Sequence, residues 1–211
     1  MKIPFAAYAS VPLLRNGDFL PVFERSPAER ADPILQDFEA QLGATWFSGR
    51  IWRLDFAARF VHMIDTSLSA TGATAPLGLL HNLHPRTVIR VADEALRASF
   101  DIAASLAEGN TPASVRATSF IPTAIFERWH HAHPQWPTRG FARGIRAITV
   151  PEVRLGKASF ANVEFSTRPH DDVFQGDDVE AKLGANAYAN RAVTLDYATA
   201  RLAIGPPGTR A

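Results

Sequence analysis

A near copy of one stretch inside the same chain sets the strongest constraint on the fold. Glu180 to Ile204 reads EAKLGANAYANRAVTLDYATARLAI, and Glu39 to Met63 reads EAQLGATWFSGRIWRLDFAARFVHM. Laid over each other without gaps, the two share Glu39/Glu180, Ala40/Ala181, Leu42/Leu183, Gly43/Gly184, Ala44/Ala185, Arg50/Arg191, Leu54/Leu195, Asp55/Asp196 and Ala57/Ala198. Phe47/Tyr188 and Phe56/Tyr197 are aromatic in both. Agreement at this density marks an internal repeat. Two copies are too few for a solenoid, whose units each need stacked neighbours. They suit two related lobes packed about a pseudo-twofold axis, with function between them. In the second copy the pattern is a Gly-centred loop (Leu183-Gly184-Ala185), a strand (Ala192 to Tyr197), a tight turn and a second strand (Arg201 to Ile204). The first copy answers with Arg50 to Phe56, which alternates as a half-buried strand does.

The rest of the chain is punctuated by Pro and Gly. Ile3 to Phe23 is a set of short apolar runs split by Pro12, Gly17 and Pro21, expected as strands or extended arms. Ser26 to Phe38 is polar and turn-rich, with room for one short helix from Pro33. Asp65 to Leu83 has the small, turn-forming composition of a linker. In Thr87 to Ser105, Val88–Val91 and Leu96–Phe100 flank a polar turn around Asp93-Glu94, which predicts a hairpin ending in Asp101. The Ala, Glu, Leu and Arg of the same stretch are helix formers, so a helix is the competing outcome. Thr123 to His131 is the strongest helix pattern, with Thr123 as N-cap and Pro134 beyond the end. Ala147–Val153 and Ala158–Phe165 are expected as strands about a turn at Gly156. These boundaries divide the chain into a partial first lobe with the repeat hairpin (1–64), a linker (65–84), a second lobe (85–205) and a tail (206–211).

Composition excludes several function classes. With 211 residues, 46% hydrophobic and 20% charged, the chain can bury a good core as one or two domains. A net charge of +1 gives no broad electrostatic footprint, so neither nucleic acid nor an anionic membrane is an expected partner. Zero cysteines exclude a disulfide scaffold, a Cys nucleophile and a Cys-type zinc site. The apolar start is short and broken by Pro4 and Pro12, a poor signal peptide, and no stretch is long enough to span a membrane. The default location is the cytoplasm.

With these motifs placed, the chain resembles the retropepsin-like and pepsin-like aspartic proteases, in particular a bacterial branch with two unequal lobes. Each repeat copy is similar to that fold's loop of two hydrophobics and Gly, followed by a hairpin whose strand ends in Asp-aromatic. Ala117-Thr118-Ser119-Phe120-Ile121-Pro122, with Phe126-Glu127-Arg128-Trp129 and His133-Pro134-Gln135-Trp136 after it, resembles a stretch between the catalytic and closing strands. Val150-Pro151-Glu152-Val153 and Phe165-Ser166-Thr167-Arg168-Pro169-His170 are similar too. Leu96 to Ser105 stands where the family's catalytic strand would be. The resemblance implies a mainly β, acid-protease-like barrel with one significant helix, here a second lobe plus the end of a first. It implies an aspartic-type peptidase that hydrolyses peptide bonds through an Asp-activated water, with a peptide or protein as substrate and without a metal or other cofactor. The alternative is a non-catalytic relative that binds peptide strands or serves as an interaction module.

The residues that would carry the chemistry depart from the family pattern. Where the family has Asp-Thr-Gly, then Ala-Ser or Ala-Thr, this chain reads Asp101-Ile102-Ala103-Ala104-Ser105. Asp101 is the candidate catalytic carboxylate, with a strand-end Asp of purely local role as its plain counterpart. A Gly after the catalytic Asp-Thr lets backbone approach without a Cβ, and a Thr hydroxyl fixes the loops; Ile102 and Ala103 supply neither. The chemistry needs two carboxylates sharing one proton, one as base and one as acid. The copies are offset by 141 (180 minus 39), so a first-lobe partner of Asp101 would precede Met1. The second carboxylate is therefore expected from a homodimer mate or a longer native chain. Asp65-Thr66-Ser67 is the alternative site: Asp-Thr-Ser is a tolerated variant of the motif, and it continues the strand Phe60–Ile64.

Other polar clusters have plainer explanations. In Trp129-His130-His131-Ala132-His133 only His130 and His133 share a helix face, too few ligands for a metal. Asp171-Asp172 and Asp177-Asp178 lack the Gly-ordered spacing of a calcium loop. Asp55 and Asp196 recur together, which points to a structural duty at the hairpin turn, accepting backbone N–H bonds.

Overall fold

The computed structural model describes residues 5–6, 22–23, 49–55, 60–68, 74–79, 85–100, 119–141, 144–167, 178–188 and 191–207. In chain order the strands are β1 (Phe5–Ala6), β2 (Val22–Phe23), β3 (Ile51–Asp55), β4 (Phe60–Ile64), β5 (Ala75–Pro76), β6 (Gly78–Leu79), β7 (Pro85–Val91), β8 (Glu94–Phe100) and β9 (Ser119–Phe120). Helix α1 (Thr123–Ala132) follows, then β10 (Thr138–Gly140), β11 (Arg146–Leu155), β12 (Ala158–Ser166), β13 (Ala181–Leu183), the single-turn α2 (Ala185–Tyr188), β14 (Arg191–Asp196) and β15 (Arg201–Pro207). The fold is mainly β with one substantial helix, as expected.

Two sheets carry the architecture. In the larger, β11-β12-β9-β13-β8-β7 form a ring, because β7 pairs back onto β11 at Val91↔Val153 and Arg90↔Arg154. Closure into a six-stranded barrel removes the free edges of those strands. β10 and β6 extend the sheet outside the ring. Strands β7 and β8 bury alternate residues and turn through Ala92-Asp93, with Val91 opposite Glu94. Ala92 takes a φ of 50°, the left-handed backbone that short hairpin turns require. The hairpin has therefore formed at 85–100 and the competing helix has not, because the period-two burial of Ile89, Val91, Leu96, Ala98 and Phe100 decides over local helix propensity.

The smaller sheet has the order β4-β3-β14-β15-β5. The hairpins of the two similar stretches lie in it, with matched pairs at the turn: Asp55 faces Phe60 and Leu54 faces Val61 in one, Asp196 faces Arg201 and Leu195 faces Leu202 in the other. The two hairpins meet through β3 and β14, where Trp52 pairs Leu195, Arg53 pairs Thr194 and Leu54 pairs Val193. Arg53 and Thr194 occupy matched positions of the two copies, so this register is self-complementary, as a twofold contact demands. One hydrophobic cluster runs from Trp52 and Leu54 in this sheet through the barrel to Leu202, so both sheets share a core.

The segment with linker composition does more than connect. Within it β5 adds to β15 through Arg201↔Pro76 and Leu202↔Ala75, and β6 adds to β7. Thr74 donates its N–H to the Leu202 carbonyl (2.7 Å), and its hydroxyl accepts the Ile204 N–H (2.8 Å). The barrel turn at Gly156 rests against the same residue: a Cβ there would come within 2.0 Å of the Thr74 carbonyl oxygen, and φ is +54°. Glycine is thus required at 156 for both backbone conformation and close approach.

Helix α1 buries Ile125, Phe126 and Trp129 against the barrel. Pro122, not Thr123, occupies the N-cap, and no side chain caps the helix. The Pro122 carbonyl instead accepts the N–H groups of Ile125 (3.0 Å) and Phe126 (3.1 Å), which starts the first turn one residue earlier than a Thr123 cap allows. Arg128 forks onto Glu94 at 2.8 and 2.7 Å and the Trp129 indole N–H reaches the same carboxylate at 3.1 Å, pinning the helix to the β7–β8 turn.

Candidate functional site

The polar centre of the barrel is built around Gly184. β13 enters between β8 and β9: it runs parallel to β8, with Leu183 beside Phe100, and antiparallel to β9, with Lys182 beside Phe120. Gly184 follows at once and is buried. Its N–H has left the ladder and donates to the Ser119 hydroxyl oxygen at 3.0 Å. Ser119, fully buried, donates in turn to Asn186 Oδ1 at 2.6 Å, and Asn186 Nδ2 donates to the Glu164 carbonyl at 2.7 Å. Each group uses the donor and acceptor it has, so a buried polar chain links β13, β9, α2 and β12 without an unpaired member. Two residues on, Tyr188 stacks on Phe100 with ring centroids 5.1 Å apart and an interplanar angle of 15°.

Asp101, the candidate catalytic residue, lies outside the described residues. Its strand is described up to Phe100, so Ser99 and Phe100 are extended and no helix runs through them. Asp65 is described: it stands exposed in a bend directly after β4. Its segment is tied to the smaller sheet. The Leu68 N–H donates to Asp196 Oδ2 at 2.8 Å, and the Leu68 carbonyl accepts from the Arg201 guanidinium at 2.6 Å. The hydrogen bonds of the Asp65 segment thus go to the β14–β15 turn, whereas those of Gly184 go to the barrel. Gly43, the first copy's loop glycine, also lies outside the described residues.

Asp196 has the structural duty expected of it and a longer reach. Fully buried, it accepts the Thr199 N–H within its own turn at 2.9 Å as well as the distant Leu68 N–H. Burial works against its charge, and hydrogen bonds from the Thr199 side chain and from the Thr199, Leu68 and Ala198 main chains outweigh it; the carboxyl titrates below the ordinary Asp range. Glu94 is also held below its ordinary value, chiefly by the Arg128 hydrogen bond acting against burial. Two of the three histidines at the end of α1 lie against rings: His133 stacks on Trp136 at 4.0 Å and His130 lies 5.9 Å from Phe126. Among the described residues no group of three or more His, Cys, Asp or Glu is placed to hold a metal ion.

Sequence reasoning assigned no role to Ser119 or Asn186. Ser119 lies within Ala117–Pro122, and Asn186 aligns with Thr45, so comparison of the two similar stretches gives no sign of it.

No family model matches the chain, and no curated protein matches it. Several solved structures are similar in fold. A retropepsin-like aspartic protease from Rickettsia conorii aligns at a TM-score of 0.36 and 10% identity, over 61% of this chain and 89% of that one. Conglutin gamma, a basic 7S globulin from lupine seeds, aligns at 0.39 and 14%, over 64% of this chain and 40% of its own. Basic 7S globulin from soybean aligns at 0.41 and 10%, over 74% and 50%. The chain thus spans half or less of each seed globulin.

Proposed function

We propose that this chain is an aspartic-peptidase-like protein whose working carboxylate is Asp101. One observation supports this reading: Phe100, the residue that precedes Asp101 in the sequence, pairs with Leu183, the residue that precedes the buried Gly184. In this reading Asp101 pairs with a second carboxylate from another copy of the chain or another segment. The ionised member takes a proton from water, the resulting hydroxide attacks the peptide carbonyl carbon, and the protonated member gives its proton to the carbonyl oxygen. The tetrahedral species then collapses with the amine leaving as it gains a proton. The substrate is a peptide or protein in extended form. The division into a partial first lobe, a linker at 65–84 and a second lobe at 85–205 belongs to the same proposal.

A second reading is favoured by Ile102-Ala103, which stand where the motif has Thr-Gly. A β-branched side chain and a Cβ at those places suit a cleft that binds a strand without turning it over. Peptide-library cleavage across acid and neutral pH separates the two. A peptidase cleaves best in acid and loses about 100-fold or more in Asp101→Asn, since a shared-proton pair fails without one carboxylate. Cleavage that survives in Asp101→Asn, or that needs a chelatable metal, removes Asp101 and the aspartic mechanism together. Peptide binding without cleavage establishes the second reading.

A further inference from the structure

The two edges of the smaller sheet are unlike. At one end β5 is two residues long and carries Pro76, which offers no N–H to a further strand. At the other end β4 is five residues long, Phe60-Val61-His62-Met63-Ile64, with no Pro and no Lys to blunt it. Among the described residues no strand pairs with its outer side; its ladder runs to β3 alone. The matched hairpin shows which groups stand on that side. The Leu202 carbonyl accepts the Thr74 N–H and the Ile204 N–H donates to the Thr74 hydroxyl, so both residues of β15 direct main-chain groups away from β14, toward β5. The pairs Leu195↔Leu202 and Val193↔Ile204 correspond to Leu54↔Val61 and Trp52↔Met63. Val61 and Met63 therefore present their main-chain groups away from β3. Among the described residues, the place that β5 takes on β15 is not taken by any strand on β4.

We propose that β4 is the surface through which two copies of this chain associate, edge to edge and antiparallel, about a twofold axis at His62. The occupant is a second copy because the strand is complementary to itself. Turned end for end about His62, it sets Val61 against Met63 and Phe60 against Ile64, apolar against apolar. The hydrogen-bonding parity agrees. Val61 and Met63 of the second copy, both with outward main-chain groups, become a pair that exchanges both hydrogen bonds, and the axis repeats that pair. His62 then faces His62 at a non-hydrogen-bonded position, where Cα atoms approach to about 4.5 Å. Such a contact uses the same patch on both copies, as a closed dimer requires. It joins the two smaller sheets into one continuous sheet with a β5 at each end. The proposal is independent of the peptidase reading.

The test is light scattering of the full chain beside cysteine crosslinking. The native chain is expected at twice its own mass. The sequence has no cysteine, so a single introduced one reports without ambiguity. His62→Cys is expected to form an intermolecular disulfide under mild oxidation, because facing residues of such a pair stand within disulfide reach. Ala95→Cys, exposed on the barrel, is expected to remain a thiol. Met63→Pro removes an outward N–H and leaves the hydrogen bonds to β3 in place. It is expected to weaken association about tenfold or more, since the twofold removes that bond twice. Should Met63→Pro not fold, His62→Glu, which sets like charges face to face across the axis, decides in its place. A chain that stays monomeric up to about 100 μM overturns the proposal. So does a dimer that persists in the variants, or a His62→Cys crosslink no faster than that of Ala95→Cys. A monomer whose Val61 and Met63 amides are protected from exchange overturns it too, and shows the edge filled from within the chain.

Discussion

The hairpins β3–β4 and β14–β15 are equal in register and unequal in surroundings. From Trp52↔Met63 and Val193↔Ile204 to the turn their ladders match residue for residue, while β14–β15 alone shifts register between Arg191 and Val193; the hairpins meet at Arg53 and Thr194. Yet β14 buries Val193 through Asp196 without a break, while β3 exposes Arg53 and leaves Asp55 partly open. The paired aspartates show the difference most clearly. Asp55 lies 3.8 Å from Arg53 in an ion pair whose side chains are 25% and 51% exposed. Asp196 is fully buried and collects the main-chain N–H groups of Ala198 and Thr199 from its own turn and of Leu68 from far along the chain. Backbone pairing follows the pattern that the copies share; what each side chain does follows what the surrounding chain brings to it.

The largest expected effect tests the core side of that contrast. Trp52 and Val193 hold matched positions and both are buried, at 0% and 1% exposure. Trp52→Ala is expected to cost about 3–5 kcal/mol in urea unfolding, and Val193→Ala less, because fewer atoms leave the core. Equal losses would break the view that the first copy supplies the heavier packing at the shared interface.

Next comes the aspartate pair. Asp196→Asn is expected to cost about 1–3 kcal/mol at neutral pH, since the main-chain N–H groups of Leu68, Ala198 and Thr199 lose a charged acceptor that is itself fully buried. Asp55→Asn is expected to stay within about 1 kcal/mol, the range of a solvated ion pair. The pH dependence sharpens this. The folded-state pKa of Asp196 is lowered, so its contribution is present above the unfolded carboxylate value and is lost as pH falls through the folded one. The gap between native chain and Asp196→Asn should therefore narrow in acid. A constant gap for Asp196 would mean that the loss is one of packing and not of charge.

The smallest effect lies at the centre of the pairing. Arg53→Thr makes the facing residues alike and alters an exposed side chain, so unfolding should shift by no more than about 0.5 kcal/mol. A larger loss would show that the pairing depends on Arg53 itself.

Much of this was legible beforehand because it depends on local period. The alternation in Arg50–Phe56 marks a strand, the polar turn at Asp93-Glu94 and the turn at Gly156 each mark a hairpin, and Thr123 with Pro134 bounds a helix. What escaped depends on distant partners. β5 and β6 are two residues each, too short to show a period, and form because Thr74 and Leu77 find main-chain partners in Leu202 and Ala200. The reach of Asp196 to Leu68 crosses 128 positions, and nothing around either residue announces it. Ser119 and Asn186 are small polar residues of a kind common in loops; only their burial beside Gly184 gives them meaning.

The pairing of β3 with β14 also has a consequence in time. Its central residues, Arg53 and Thr194, stand 141 positions apart (194 minus 53). A ribosome adding about 5–20 residues per second needs on the order of ten seconds to cover that distance. Throughout that interval the β3–β4 hairpin waits with the edge of β3 open, a template for any stray strand. The smaller sheet is therefore the slow and exposed step of folding, while the β7–β8 and β11–β12 hairpins, whose partners are neighbours in sequence, can close as they emerge.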